Sequence, residues 1–411
     1  MDITLKSPEF GGCVDSICSK SQAHRALICA YLAKGKSRIF CPYLNADIKA
    51  TADCLKNMGA KITYENGYFE ITPPDDIYDL AEIDCGESGS TLRFLIPVAA
   101  ISGRKTIFNM HGRLSERPIF PLTIELEKYG VKFSGKNPLI CENILQTGCD
   151  FEIAANASSQ FASGLMFAIG AFGGSLKLIG NVESKPYIDM TMAMLNNFGA
   201  QITECDNIYS SPKKQGLTAN DMIIEGDWSN AAFFLAMGAV GKNAITVKGL
   251  DVGSKQGDKA ILDILKDMGT KFSVDDNSVT VYPSALRAAC INAKDIPDLV
   301  PILSVCASCA MGTTKISGVS RLRLKESDRI KTVCDMIATL GGKINLSNDD
   351  CLEITGCKLC GGVVDSCNDH RIAMSAAVAS TICKSDVTIK DAMATDKSYP
   401  TFWEEIEKLT I

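Results

Sequence analysis

Histidine is scarce in this chain: three residues in 411. That is too few for a metal centre built on several imidazoles, and no metal site is expected. Long apolar stretches are also missing. No run of about 18 or more apolar residues occurs, so no membrane-spanning helix is expected. Positive charge is in deficit, with 42 Lys and Arg against 48 Asp and Glu and a formal net charge of −6. A chain that reads nucleic acid carries a broad basic face, so nucleic acid is excluded as the main partner. The opening Met1-Asp2-Ile3-Thr4 lacks the basic and apolar regions of a secretion signal, and a cytoplasmic location is expected.

Cysteine, by contrast, is plentiful at 18 residues. Two C-x-x-C pairs, Cys306/Cys309 and Cys357/Cys360, stand almost fifty residues apart, whereas structural zinc sites bring their pairs within about 15–20. Cys306 and Cys309 lie inside the apolar run 299–311, where cysteine acts as a small core side chain. Without a secretion signal, disulfides are not expected either. At 411 residues the chain fits two domains of roughly 200 residues each.

Cations recur where helices begin. Ser19-Lys20-Ser21-Gln22-Ala23-His24-Arg25 runs into the apolar stretch 26–33, and the pattern returns at Glu116-Arg117-Pro118, Ser184-Lys185-Pro186, Lys325-Glu326-Ser327-Asp328-Arg329 and Asp369-His370-Arg371. A helix N-terminus carries partial positive charge, so Lys or Arg there is locally unfavourable. Such a placement makes sense beside an anionic ligand, and many of them suggest one shared site for phosphates and carboxylates. Each also has a plainer reading: serine is an ordinary N-cap, and an exposed arginine an ordinary surface residue. Pro118 is expected at the first position of a helix. The glycine- and hydroxyl-rich turn Cys85 to Arg93 leads into a helix expected over 94–101, and Gly89 would let backbone amides approach a ligand. Ser158-Ser159-Gln160 ahead of Phe161 is either a capping pair or a phosphate cradle. In 322–330, Lys325, Glu326 and Arg329 are expected within one helical turn, with Lys325 and Arg329 on one face. A carboxylate between two cations is held ionised. Asp298 precedes a buried-looking run, and Lys397 alone reads as a surface residue.

Five segments share a helix end, a glycine and the start of a strand, centred on Gly59, Gly130, Gly199, Gly269 and Gly341. Successive glycines are 71, 69, 70 and 72 residues apart, which marks an internal repeat. Glycine takes the left-handed conformation that ends a helix. A sixth helix at 403–409 has no strand after it, and Thr4-Leu5-Lys6 is available to close that last unit. The expected architecture is α/β with domains at 19–227 and at 1–18 plus 228–411, three repeats in each. Helices apolar all round, at 161–172, 231–240 and 372–381, belong inside a ring of sheets.

Taken together, Ser19-Lys20-Ser21 with Arg25, Leu324-Lys325-Glu326-Ser327-Asp328-Arg329 and Asp369-His370-Arg371 resemble the 5-enolpyruvylshikimate-3-phosphate synthase family, in its order and spacing from Ser19 to Lys397. The resemblance implies the two-domain enolpyruvyl transferase-like fold, three βαβαββ units per domain, with the active site in the interdomain cleft. It implies transfer of the enolpyruvyl group of phosphoenolpyruvate to the 5-hydroxyl of shikimate 3-phosphate with release of phosphate, in aromatic amino acid biosynthesis through chorismate. It implies no cofactor, two small-molecule partners and a monomer. Lys20, Ser21, Arg25, Ser158, Ser159, Gln160, Ser184, Tyr187, Asp298, Arg321 and Lys325 would hold shikimate 3-phosphate. Lys20, Gly89, Arg117, Gln160, Arg329, Arg371 and Lys397 would hold phosphoenolpyruvate. Asp298 and Glu326, with Lys20, would be catalytic, Asp298 taking the hydroxyl proton and Glu326 exchanging one with the methylene carbon.

Glu87, Phe94 and Arg321 stand where asparagine, proline and asparagine are common in that family, so sensitivity to glyphosate does not follow from the resemblance. Two rivals remain. The UDP-N-acetylglucosamine enolpyruvyltransferases share fold and donor but typically carry a reactive cysteine, absent from 111–117, and an asparagine after the first lysine, where Ser21 stands here. A non-catalytic repeat scaffold would explain the period but not the cationic helix starts.

Overall fold

A computed structural model describes residues 1–75, 80–156, 158–212 and 216–411. The chain divides into two compact units, Lys20–Ile224 and a discontinuous one of Met1–Ser19 with Glu225–Ile411. Among the described residues there are twelve α-helices: α1 (Lys20–Leu32), α2 (Ala46–Asn57), α3 (Gly89–Ser102), α4 (Phe120–Glu127), α5 (Ser159–Phe172), α6 (Lys185–Asn197), α7 (Trp228–Val240), α8 (Ile261–Asp267), α9 (Val300–Cys309), α10 (Arg329–Thr339), α11 (His370–Ala379) and α12 (Phe402–Leu409). Odd-numbered helices are buried along almost their whole length, and all but α1, which opens on Lys20, Ser21, Gln22, His24 and Arg25, are largely apolar. They pack on one another within each unit, α1, α3 and α5 in one and α7, α9 and α11 in the other. Even-numbered helices keep a polar face toward water, as α10 does with exposed Lys331 and buried Ile330, Val333 and Ile337.

One sheet design recurs. A strand, an odd helix, a parallel strand, an even helix and an antiparallel hairpin form a four-stranded sheet in which the hairpin's second strand lies inside. Leu80–Asp84, Lys105–Asn109, Leu139–Glu142 and Lys132–Gly135 make one such sheet in spatial order. Cys149–Ala154 and Cys290–Asn292 begin two more. Two further sheets exchange their first strands. Gly12–Asp15, ahead of α1, pairs in parallel with Ile245–Lys248 after α7, while Met222–Ile223, ahead of α7, pairs with Ser37–Phe40 after α1. In the sixth sheet Gly362–Asp365 pairs with Val387–Lys390, and Ile3–Leu5 supplies the antiparallel neighbour. The N-terminal segment thus completes the last sheet.

The five repeat glycines all have positive φ, between +80° and +99°, the conformation that turns α2, α4, α6, α8 and α10 into their hairpins without a Cβ penalty. Gly164 has another task. A Cβ there would lie 2.5 Å from the Arg93 carbonyl oxygen, so its absence lets α5 approach α3. Truncating a leucine in these central helices, such as Leu95 or Leu303, is expected to destabilise by about 2–5 kcal/mol. All 18 cysteines are free, and among the described residues no group of three or more His, Cys, Asp or Glu could hold a metal ion. No helix among them is long and apolar enough to cross a membrane.

Candidate active site

The odd helices bring their N-termini, and the side chains that start them, to one end of each unit's core. In the Lys20–Ile224 unit Lys20 opens α1 and its Nζ pairs with Asp47 Oδ2 at 2.9 Å, in the first turn of α2. One turn later Arg25 is 2% exposed. Its Nε donates to Thr191 Oγ1 (2.7 Å), its NH1 to the Ser21 carbonyl (2.7 Å), and its NH2 to Ser163 Oγ (3.3 Å) and the Tyr187 carbonyl (2.9 Å). Phe94 lies under it, 5.0 Å from ring centroid to guanidinium carbon. Among the described residues no carboxylate pairs with Arg25, and burial lowers its pKa to about 10.

Ser158 caps α5 by accepting from the Gln160 amide, and Ser159 is the first residue of that helix. Gln160 is oriented at both ends: Oε1 accepts from Arg93 NH1 at 2.5 Å and Nε2 donates to Ser90 Oγ at 2.9 Å. Arg93 also donates to the Pro118 carbonyl at 3.1 Å, bringing the Arg117 segment against α3. The Arg117 guanidinium lies directly over Gly89, where a Cβ would stand 2.6 Å from NH1. Arg117 Nε is buried and has no hydrogen-bond partner among the described residues. Ser184 stands at the N-cap position of α6 in the left-handed conformation, φ 55°, without a side-chain bond to the helix start. His24, between the two cations of α1, is fully buried, with Nδ1 2.7 Å from Thr51 Oγ1, which lies 2.7 Å from Thr91 Oγ1. Burial, then the nearby Lys20 and Arg25 against the opposing Asp47, lowers its pKa to about 3. Glu87 packs over Gly112, whose Cβ would meet its carboxylate at 2.6 Å.

In the other unit the centre is Asp298, in the 3-10 turn Pro297–Leu299 ahead of α9. Its Oδ1 accepts from Lys325 Nζ (3.1 Å) and Arg329 NH1 (2.7 Å), and its Oδ2 from Arg371 NH2 (3.2 Å). Burial alone would raise its pKa, but Arg371, Lys325 and Arg329 hold the carboxyl well below the usual range. Arg329, 1% exposed, also donates through NH2 to Glu326 Oε2 (2.7 Å) and through Nε to Asp369 Oδ2 (2.8 Å). Asp369 caps α11, accepting from the Arg371 amide at 3.0 Å. Burial lowers the Lys325 pKa despite Asp298. Arg321 donates to the Lys294 carbonyl at 3.2 Å and stands near enough to Lys325 to oppose its charge. Lys397, half-buried, ends the 3-10 turn Ala392–Lys397, which packs against α11.

Three local expectations are corrected. Lys325 and Glu326 are not on a helix with Arg329: Lys325 ends the 3-10 turn Ser320–Leu324, and α10 begins at Arg329 with Asp328 as its cap. The two cations still meet, because both reach Asp298. Pro118 does not start a helix; Arg117 is extended after the 3-10 turn Gly112–Glu116, and α4 begins at Phe120, with Pro121 in its first turn. The helix expected over 94–101 starts five residues earlier at Gly89, because Ser88 accepts from the Thr91 amide.

Sequence reasoning left out Asp47, Arg93, Ser163, Thr191, Ser229, Asp258 and Asp369 as site partners. Arg93 and Asp369 stood inside quoted motifs; the others carry no local signal, since only the fold brings them to their partners.

The family model for EPSP synthase (3-phosphoshikimate 1-carboxyvinyltransferase) matches residues 7–406. A 3-phosphoshikimate 1-carboxyvinyltransferase of Clostridium novyi (strain NT) is 38% identical over 99% of this chain and 97% of its own length. One from Clostridium acetobutylicum is 40% identical over 95% and 93%. The fold is that of EPSP synthase from Acinetobacter baumannii, with TM-score 0.81 and 24% identity over 100% of this chain and 98% of that one. The enolpyruvyl transferase NikO from Streptomyces tendae gives 0.79 at 15% identity, covering 99% and 96%. A match this long, on a sheet repeated six times and with cations gathered at the starts of the odd helices, makes the chain a member of the EPSP synthase family.

Proposed function

We propose that this protein transfers the enolpyruvyl group of phosphoenolpyruvate to the 5-hydroxyl of shikimate 3-phosphate and releases phosphate. The observation that carries the mechanism is the convergence of Lys325, Arg329 and Arg371 on Asp298, with Glu326 on the same arginine.

Arg25, Ser21 and Lys20 bind the acceptor's phosphate and ring, with Ser158, Ser159, Gln160, Ser184 and Tyr187. A buried guanidinium surrounded by neutral acceptors favours an anion strongly, because its charge is otherwise uncompensated in a low dielectric. The unpaired Arg117 Nε beside Gly89 serves the donor's anionic groups. Arg371, Arg329 and Lys397 are the donor's further ligands, and Arg321 and Lys325 are among the acceptor's.

Asp298 accepts the 5-hydroxyl proton as that oxygen attacks the donor's C2. Glu326 gives a proton to the methylene carbon, and a tetrahedral intermediate forms. Glu326 then takes a proton back from the methyl group, the double bond re-forms, and phosphate leaves with the bridging electron pair and the proton that Asp298 had taken from the hydroxyl. Under three cations Asp298 is ionised but a weak base. Anionic substrates that engage Arg371 and Lys325 draw those charges off and raise its basicity when the hydroxyl is in place.

The test is phosphate release from phosphoenolpyruvate by the purified chain, with and without shikimate 3-phosphate. Release only with shikimate 3-phosphate is expected. Release with UDP-N-acetylglucosamine instead would favour the sister enzymes, and none with either would reject the assignment.

A further inference from the structure

Arg371 is held from two sides. On one, NH1 donates to the Asp298 carbonyl and NH2 to Asp298 Oδ2, each at 3.2 Å. On the other, NH2 donates to Ser229 Oγ at 2.7 Å, and Ser229 in turn donates to Asp258 Oδ2. A hydroxyl has one proton and two lone pairs, and a guanidinium only donates. Spending the proton on Asp258 leaves the lone pairs for Arg371, so the chain runs one way, from Arg371 through Ser229 to Asp258. Asp258 is 2% exposed, in the 3-10 turn Gly257–Ala260, and the reaction described above does not use it.

We propose that Asp258, acting through Ser229, is a positioning residue for Arg371, holding the guanidinium in place while Asp298 carries the acceptor's proton. This rests on the roles given to Asp298 and Arg371 under Proposed function. Once Asp298 is protonated it no longer attracts Arg371 by charge, and a second, fixed carboxylate keeps the donor-binding guanidinium from drifting. The segment bearing Asp258 is itself pinned to the start of α7: Gln256 Oε1 accepts from the Trp228 amide at 3.2 Å, and Gln256 Nε2 donates to the Gly226 carbonyl at 2.8 Å.

Burial raises the Asp258 carboxyl to about 6, helped by Asp298 and Asp227 and opposed by Arg371 and Ser229. The titratable and charged groups on the elements around it are Asp227 at the start of α7, Asp298 ahead of α9, His370 and Arg371 on α11, and Glu225, whose Oε2 accepts from Ser254 Oγ and from Gln256 Nε2 (3.2 Å) in the segment that carries Asp258. In its own segment Lys255 is exposed and Lys259 donates to the Val252 carbonyl, while Asp263, Lys266 and Asp267 on α8 are exposed. Protonation of Asp258 removes the negative charge that holds Arg371 through Ser229, while the remaining carbonyl oxygen still accepts from the hydroxyl. The pull on the guanidinium weakens, and donor affinity falls as pH drops through about 6.

The experiment is steady-state kinetics for both substrates between pH 5 and 8, on the full chain and its Ser229→Ala, Ser229→Thr and Asp258→Asn variants. Expected for Ser229→Ala and Asp258→Asn is a loss of kcat/KM for phosphoenolpyruvate of roughly ten- to a hundredfold, from a misplaced binding group, with KM for shikimate 3-phosphate unchanged. The double variant should be no worse than the poorer single one, since both act through one chain. Ser229→Thr, which keeps the hydroxyl, should retain the wild-type value. The wild type should show an acid limb near pH 6 that Asp258→Asn lacks; the substrate's own titration is common to both. Unchanged donor kinetics, an equal rise in both KM values, or an acid limb in Asp258→Asn as steep as that of the wild type would overturn this inference while wild-type turnover stands. A wild type without turnover would overturn the underlying reading as well.

Discussion

Arg25 in the Lys20–Ile224 unit and Arg329 in the other are both buried guanidiniums, at 2% and 1% exposure, yet their surroundings are opposite. Arg25 meets two hydroxyls, two carbonyls and an aromatic face, and burial lowers its pKa to about 10. Burial acts on Arg329 too, but Asp369, Glu326 and Asp298 outweigh it and raise its pKa above the ordinary value. The first cation is left in want of an anion. The second is compensated within the protein and organises three carboxylates. One group of residues is suited to gripping a phosphate, the other to moving protons.

The largest effect that would break this contrast concerns turnover. Glu326→Gln and Asp298→Asn are each expected to lower kcat by on the order of 10²–10⁴ while retaining substrate binding, as measured by single-turnover kinetics and titration. Wild-type turnover in either would remove the proton-handling role. Next comes stability. Arg329→Gln strands buried carboxylates and should cost roughly 3–5 kcal/mol. Arg25→Gln loses hydrogen bonds but also removes an uncompensated buried charge, so about 1–2 kcal/mol is expected. Denaturant unfolding of the two variants would show the difference, and equal losses would contradict it.

A smaller effect sharpens the picture of the phosphate-gripping side. His24 has its folded pKa lowered to about 3 from 6.5, so the unfolded chain binds the extra proton between those values. Stability from neutral His24 is complete above about pH 6.5 and is lost as pH falls toward 3, a change on the order of a few kcal/mol. His24→Asn, which retains a nitrogen near Thr51, should flatten that part of the melting-temperature profile. An unaltered slope would mean other groups set it.

Much of the fold was legible because it repeats. The left-handed glycine after every even helix but α12 is a backbone requirement that leaves a residue type at a fixed interval, from Gly59 to Gly341. The apolar character of α5, α7 and α11 likewise announced their burial. Boundaries at the site were less legible, for a physical reason. Ser88 caps α3 early, its Oγ accepting from both the amide and the hydroxyl of Thr91, and Lys325 leaves helical geometry so that its ammonium can reach Asp298, 27 residues away in sequence. No local pattern encodes such a reach. Ser229 and Asp258 were invisible for the same reason: each is ordinary until the fold sets one on α7 and the other in the turn beside it. Phe94, noted only as a departure from a common proline, turned out to be the ring beneath Arg25.

The most direct test of the contrast between the two groups is calorimetric titration of shikimate 3-phosphate alone into the wild type, Arg25→Gln and Arg371→Gln. The account predicts at least about tenfold weaker binding in Arg25→Gln, from loss of charge-assisted hydrogen bonds, and near-wild-type binding in Arg371→Gln. Equal weakening in both, or none in Arg25→Gln, would contradict it.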